Sequence, residues 1–464
     1  MERLSQTLLK SNMGVVAHYY MDAELQGILH AVQRCSPELA GRVGIADSLK
    51  MGDLAVDMCK NGGVQSVACL GVDFMAESVH AIMSRNGYGH IPLYRATSSA
   101  IGCSLAESAE RDSYRAWLQS SKIHDQTLHV VYINTSLETK AVSSSIVPTI
   151  TCTSSNVLQT MLQASAQVGP NLKIKYGPDT YMGENLKTFF NSILKHDGGD
   201  DPWNDARIAK DLHPGHNRQT IATLRDNLDV FPSGNCIVHH MFGNEVVQTV
   251  RRNYDDCYVT AHLEVPGEMF QIAMEKSLVG KGIVGSTSDI LGFIAKKVEE
   301  AATNNTGEER LKFILGTEAG MVTSIVRKVQ DILEVHGSKI EAEIIFPVAA
   351  EAVMGGDDTM AVVPGVAGGE GCSTAGGCAT CPFMKMNSLD ALQGIVDMVE
   401  SANNGSTKDE ILLKAHLPPQ RLHGRNIGGV PAMDLGTESI LYMREFMKNK
   451  KLPDDLMQKI CDVS

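Results

Sequence analysis

The sequence predicts an α/β protein built from three pseudo-symmetric units, each a four-stranded parallel sheet flanked by helices. Short apolar, β-branched runs alternate with stretches of helical spacing along most of the chain. That alternation is the pattern of parallel sheets joined by crossover helices. The runs fall into three sets, starting near residues 14, 128 and 257, so the chain repeats internally. Many runs end in polar residues, and ligands of open parallel sheets bind beyond the carboxyl ends of strands.

The first set is "GVVAHYY" (14–20), "VGIADSL" (43–49), "SVACLGVDFM" (66–75) and "HIPLYR" (90–95). The second is "LHVVYINTS" (128–136), "VPTITCTSSN" (147–156), "LKIKYGPDTYMG" (172–183) and "NCIVHH" (235–240). The third is "CYVTAHLE" (257–264), "GIVGSTSD" (282–289), "KFILGTEAG" (312–320) and "AEIIFPV" (342–348). Between them lie amphipathic stretches such as "AELQGILHAVQ", "NVLQTMLQASAQ" and "MVTSIVRKVQDILEV". The expected division is 1–120, 121–250, 251–392 with a Cys-rich loop, and a helical closing segment 393–464. Residues 193–234 are polar and rich in Gly and Pro, and read as a solvated insertion in the second unit. His213 and His216 in its "HPGH" are assigned to that surface rather than to a metal.

A chain of 464 residues exceeds one simple core. Its net charge is −13 and it has no long basic run, which argues against nucleic acid and anionic membranes as partners. No apolar run has the length of a membrane span. The N-terminal stretch lacks the apolar core of a signal peptide. Eleven cysteines, an odd number, without a secretory signal argue against a disulfide framework. Cys35, Cys59, Cys69, Cys152, Cys257 and Cys461 read as packed thiols.

The strand ends carry His18 and Tyr20, Asp47 and Ser48, Tyr132 and Asn134, Ser154 and Ser155, His262 and Glu264, Ser286 and Thr287, Thr317 and Glu318. Any single Ser or Thr there can be a helix N-cap. As a set, hydroxyls beside helix N-termini suit an anion-rich small molecule. There is no GxGxxG after a strand and no GxxxxGK[ST], which disfavours a dinucleotide or nucleoside triphosphate enzyme.

Each predicted fourth strand lies near a cysteine: Cys103, Cys236, and the loop holding Cys372, Cys378 and Cys381. One thiolate from each unit would leave a coordination position open. A structural zinc site is closed by four ligands, whereas a four-iron cluster on three cysteines keeps one iron open to substrate. A local zinc site on Cys372, Cys378, Cys381 and a histidine, a redox CxxC pair, and inert thiols remain alternatives at this point.

The segments "AHYYMDAELQ", "IADSLKM", "GCSLAES", "VYINTSLETKA", "CTSSN", "GPDTYMG", "CIVHHMFG", "AHLEVPGEM", "VGSTSDI", "LGTEAGMV" and "CATCPFMKMNSL" occur in this order. Together they resemble the quinolinate synthase family, from about residue 13 to 390. "VVPGVAGGEGCS" and "AHLEVPGEMF" are similar to the plant-type enzyme. The resemblance implies three units packed around a central [4Fe–4S] cluster. It implies condensation of iminoaspartate with dihydroxyacetone phosphate to quinolinate, phosphate and two waters, on the route to NAD. It places the cluster ligands on Cys103, Cys236 and Cys381. It places substrate contacts on His18, Tyr20, Ser48, Tyr132, Asn134, Ser154, His239, His262, Glu264 and Thr287. Of these, His18, Tyr20, Tyr132, His262 and Glu264 are the expected catalytic groups. Many family members read His-Pro-Glu where this chain reads His-Leu-Glu, so the stiffening proline is absent here. The family also implies a functional link to an aspartate oxidase and a sulfur-donor system, and a homodimer. The plant-type enzymes carry an N-terminal sulfur-transfer module and a plastid leader. Neither is read in this sequence, and the expected compartment is the cytoplasm, or the plastid stroma if a leader has been removed.

Overall fold

The computed structural model describes residues 1–123, 126–195, 203–239, 242, 244–304, 310–347 and 380–462. Three four-stranded parallel sheets are present, with one strand order throughout. The first joins β1 (Met13–His18), β2 (Val43–Ala46), β3 (Ser66–Leu70) and β4 (Leu93–Arg95) in the order β2-β1-β3-β4. The second joins β5 (Thr127–Tyr132), β6 (Thr149–Cys152), β7 (Lys173–Gly177) and β8 (Leu228–Val230) as β6-β5-β7-β8. The third joins β9 (Tyr258–His262), β10 (Gly282–Gly285), β11 (Arg310–Gly316) and β12 (Glu341–Ile345) as β10-β9-β11-β12. Every residue of β1 and of β5 is buried, as expected of parallel strands covered by helices on both faces.

The helices begin where the sequence supplies caps. The side chains of Asp22, Asp47, Ser136 and Asp179 accept backbone N–H groups of the helices starting at Ala23, Ser48, Leu137 and Thr180. The helix Ser48–Gly62 stops at Gly63, whose φ of 57° is left-handed and suits glycine. Among the described residues no helix is long and apolar enough to cross a membrane.

The chain divides into two compact units. The first comprises Met1–Cys103, Ile237–His262 and Gln271–Gln420, and contains the first and third sheets. In it, buried Arg95 pairs with Asp73 at 2.7 Å and donates to the carbonyls of Ala415 and Leu417, tying that distant segment to β4. The second comprises Ser104–Cys236, Leu263–Phe270 and Arg421–Ser464, and contains the second sheet. In it, the helix Ala432–Asn449 packs against the helix Leu137–Ile146 and β6. A Cβ at Gly436 would lie 2.5 Å from the Leu137 carbonyl oxygen, so glycine sets that close approach.

Two expectations for the second sheet need correction. Its fourth strand is Leu228–Val230, not 235–240, where the described residues form turns and irregular backbone. The polar stretch is also not a solvated excursion over its described part. The helix Arg218–Asp226 buries Ile221 and Leu224 and packs on the helix Thr180–Leu194. Arg218 donates to the carbonyls of Ile193 and Trp203, each at 2.9 Å. His216 is buried, with Nε2 2.7 Å from the Leu162 carbonyl oxygen, and His213 Nε2 lies 2.8 Å from Gln163 Oε1. Both histidines are structural rather than solvated. Composition misleads here because a few apolar side chains and charged groups bonded to carbonyls do the packing.

Candidate active site and metal ligands

The predicted site residues fall on equivalent positions of the three sheets. His18, Tyr132 and His262 are the last residues of β1, β5 and β9. In the neighbouring strands their register partners are Ala46, Cys152 and Gly285, the last residues of β2, β6 and β10. Two residues beyond the first group stand Tyr20, Asn134 and Glu264, and two beyond the second stand Ser48, Ser154 and Thr287. Nine of the ten predicted substrate residues thus occupy three structural positions, each used three times. His239 is the exception. It lies in the first unit, its ring stacked on His262 with centroids 5.0 Å apart and planes 6° from parallel.

The local chemistry differs among these equivalents. The backbone N–H of Tyr20 donates to His18 Nδ1 at 3.2 Å, and the two rings meet edge to face. Nδ1 is therefore an acceptor, and the neutral imidazole carries its proton on Nε2. In the second unit the Tyr132 hydroxyl donates to Glu264 Oε1. Cys236 Sγ and a carboxylate oxygen of Glu264 lie within 4.8 Å of each other. His18, Tyr132, His262 and Glu264 are each 5% exposed or less, so a group reacting with them leaves bulk water.

Ser48 and Thr287 are the first residues of the helices Ser48–Gly62 and Thr287–Asn304. Capping falls to the residue before each. Asp47 Oδ1 accepts from Lys50 N at 3.0 Å, and Ser286 Oγ accepts from Asp289 N at 3.3 Å. The hydroxyls of Ser48 and Thr287 are thus not the caps, and they stand where helix N–H groups favour an anion.

Cys103, Cys236 and Cys381 are half-buried thiols. Cys103 and Cys381 belong to the first unit, and Cys236 ends the first segment of the second. Burial, then the neighbouring Cys103, pushes the Cys381 thiol up to about 12, while the N–H groups of Phe383 and Met384 favour its thiolate. Two thiols that oppose each other's ionisation, one of them facing amide donors, form a sulfur set suited to a soft metal centre. Cys59, Cys69, Cys152 and Cys257 are buried, and burial raises each thiol. Cys35 and Cys461 are exposed and not packed, a correction to the expectation for them. Cys372 and Cys378 lie outside the described residues.

Two carboxylates were not assigned to the site from the sequence: Asp179 was passed over, and Glu318 was read only as one of the strand-end residues. Asp179 and Glu318 each stand two residues past the third strand of their sheet, and both are fully buried. Asp179 Oδ1 accepts from Met182 N at 2.7 Å, and burial with the nearby charge of Glu264 pushes its carboxyl well above the usual range. Glu318 accepts from Gly320 N at 2.7 Å and Cys381 N at 3.1 Å, and burial pushes its carboxyl up to about 8. The repeated strand-end offset was the available signal for both.

Comparison with known proteins adds the following. The family model "NadA: Quinolinate synthetase A protein" matches residues 2–421. A chloroplastic quinolinate synthase of Nicotiana tabacum is 45% identical over 471 aligned positions, covering 99% of this chain and 62% of the relative. One of Arabidopsis thaliana is 44% identical with the same coverage. A quinolinate synthase of Ehrlichia chaffeensis is 25% identical, covering 82% of this chain and 84% of the relative. The chain therefore spans about three fifths of the length of the plant relatives.

Proposed function

The chain belongs to the quinolinate synthase family, and from that membership we propose that it condenses iminoaspartate with dihydroxyacetone phosphate. The products are quinolinate, phosphate and two waters, on the route to NAD. Atoms and electrons balance without an oxidant. The observation that carries the reading is the threefold use of three strand-end positions. A substrate pair with several anionic groups needs donors from more than one direction, and each sheet offers a hydroxyl at the same place.

In this reading Ser48, Ser154 and Thr287, with helix N–H groups, bind carboxylates and phosphate. Nε2–H of His18 donates to a substrate oxygen, and Asn134, His239 and His262 orient the same molecule. Glu264 moves protons in the tautomerisation and dehydration steps, and Tyr132 and Tyr20 direct or supply protons at departing oxygens. Cys103, Cys236 and Cys381 would hold a [4Fe–4S] cluster, whose Lewis acidity assists loss of hydroxyl as water. The three-unit division at about 1–120, 121–250 and 251–392, closed by 393–464, is part of the proposal. So are a homodimer and a functional link to an aspartate oxidase and a sulfur donor. The names of the plant relatives favour the plastid stroma over the cytoplasm.

The test is anaerobic purification with iron and sulfide reconstitution, metal analysis, and an assay for quinolinate. About four irons per chain with quinolinate formed supports the reading. One zinc without product overturns it. Iron without quinolinate leaves another dehydration by an iron–sulfur hydro-lyase as the function.

A further inference from the structure

The loop after the first strand of each sheet turns two carbonyls toward one buried nitrogen, and the nitrogen comes from a different kind of residue each time. In the first unit Gln26 Nε2 donates to the carbonyls of Tyr19 at 2.8 Å and Met21 at 2.7 Å, and to that of Gly320 at 2.9 Å. Its Oε1 accepts from Ser324 Oγ at 3.0 Å, which fixes the amide the right way round. In the second unit Lys140 Nζ donates to the carbonyls of Ile133, at 3.1 Å, and Thr135, and to Thr135 Oγ1 at 2.9 Å. Also in the second unit, Asn185 Nδ2 donates to the carbonyls of Leu263 at 2.9 Å and Val265 at 2.7 Å.

These carbonyls are the first and third past His18, Tyr132 and His262. The residue between each pair is Tyr20, Asn134 or Glu264. Gln26 and Lys140 each stand eight residues past the strand end, on the helix that follows. The same place after β9 is the buried Phe270, which has no side-chain donor, and Asn185 of the helix Thr180–Leu194 takes over. All three donors are 1% exposed or less, so each bond is made without competing water. In the third loop the clamp also fixes a backbone that lacks the proline described above.

We propose that Gln26, Lys140 and Asn185 are positioning residues of one design, each holding the carbonyls on either side of a side chain that meets substrate. Giving those side chains that role rests on the proposed function; the clamp itself does not. The experiment uses the reconstituted full chain as wild type, Gln26→Met, Lys140→Met, Asn185→Leu and Lys140→Gln. Hydrogen exchange is followed in peptides covering 19–21, 133–135 and 263–265, alongside kcat, KM and iron content.

Each variant without a donor should exchange about tenfold faster in its own loop and not in the other two. Its kcat should fall about 10- to 100-fold with KM changed far less, at unchanged iron, as expected when a group that meets substrate is misplaced. Lys140→Gln, which brings the first sheet's donor to the second, should recover both exchange and kcat relative to Lys140→Met. Wild-type exchange in all three clamped loops, or loosened loops with wild-type kcat, overturns the proposal. So does Lys140→Gln behaving as Lys140→Met, an arm that remains decisive if another variant fails to fold. Should the wild type make no quinolinate, the functional reading falls. Exchange alone then decides the clamp: loop-selective loosening upholds it, and uniform loosening overturns it.

Discussion

The loop after β5 and the loop after β9 each have their first and third carbonyls held by one nitrogen and are anchored in different ways. Lys140 reaches the first from five and seven residues along the chain, on the next helix. Asn185 reaches the second across 78 and 80 residues, from a helix that follows another strand. The first anchor exists as soon as one strand and one helix pack. The second requires the helix Thr180–Leu194 to meet a segment far along the chain. Tyr132 precedes the locally held loop, Glu264 lies in the remotely held one, and a hydrogen bond joins them. Geometry at that pair is therefore only as good as the long-range anchor.

The largest expected effect breaks the comparison at the reacting group. Glu264→Gln should lower kcat by about 10²–10⁴-fold with iron content unchanged, measured by quinolinate formation. Normal turnover would remove Glu264 from the chemistry and leave the two loops as merely structural. Next, the two anchors should differ in stability. Asn185→Leu leaves buried carbonyls without their donor and should cost about 1–3 kcal/mol in chemical denaturation. Lys140→Met should cost less, because the same change relieves the burial of an ammonium. Equal losses would show that relief of the buried ammonium does not offset the lost hydrogen bonds.

A third test uses acid. β5 carries the fully buried His129, where the equivalent positions of β1 and β9 are Val15 and Val259. Tyr114 Oη lies 2.8 Å from His129 Nε2. Burial, with the Lys175 charge second, lowers the imidazole to about 3. Below pH 6.5 the unfolded chain takes up a proton that the folded one refuses. Stability should then fall by up to about 1.4 kcal/mol per pH unit from pH 6.5 down toward 3, and be whole above 6.5. His129→Val should flatten that slope in urea titrations at several pH values, making the second sheet resemble the other two. An unchanged slope would place the acid-sensitive group elsewhere. The smallest effect is expected at the exposed pair Arg34–Asp331 in the first unit, 3.0 Å apart. Arg34→Ala should shift stability by no more than about 1 kcal/mol, and less at high salt.

The strands were legible because their signal is local. Runs such as "HVVY" and "KFILG" are apolar whichever sheet they join, and eleven of the twelve strands of the three sheets overlap the runs read from sequence. β8 was missed because its short apolar pair is split by Asp229, directed outward to Lys175 at 2.6 Å, inside an otherwise polar stretch. The polar residues after the strands were legible for the same reason: they are side chains, and their identity is written in the chain. Their equivalence across three sheets was not, because register is set by pairing between strands far apart in sequence.

The residues that hold them were least legible. Gln26, Lys140 and Asn185 act on carbonyls, and every residue carries a carbonyl. Nothing in "GENLKT" marks Asn185 as the partner of Leu263 and Val265. The sequence by itself determined the alternation of strands and helices, the three sets, and the polar groups at their ends, because hydrophobic periodicity and side-chain chemistry are properties of short segments. Only the tertiary structure decided which backbone oxygens are buried and which nitrogen reaches them, because a hydrogen bond between distant segments depends on packing that no short segment contains.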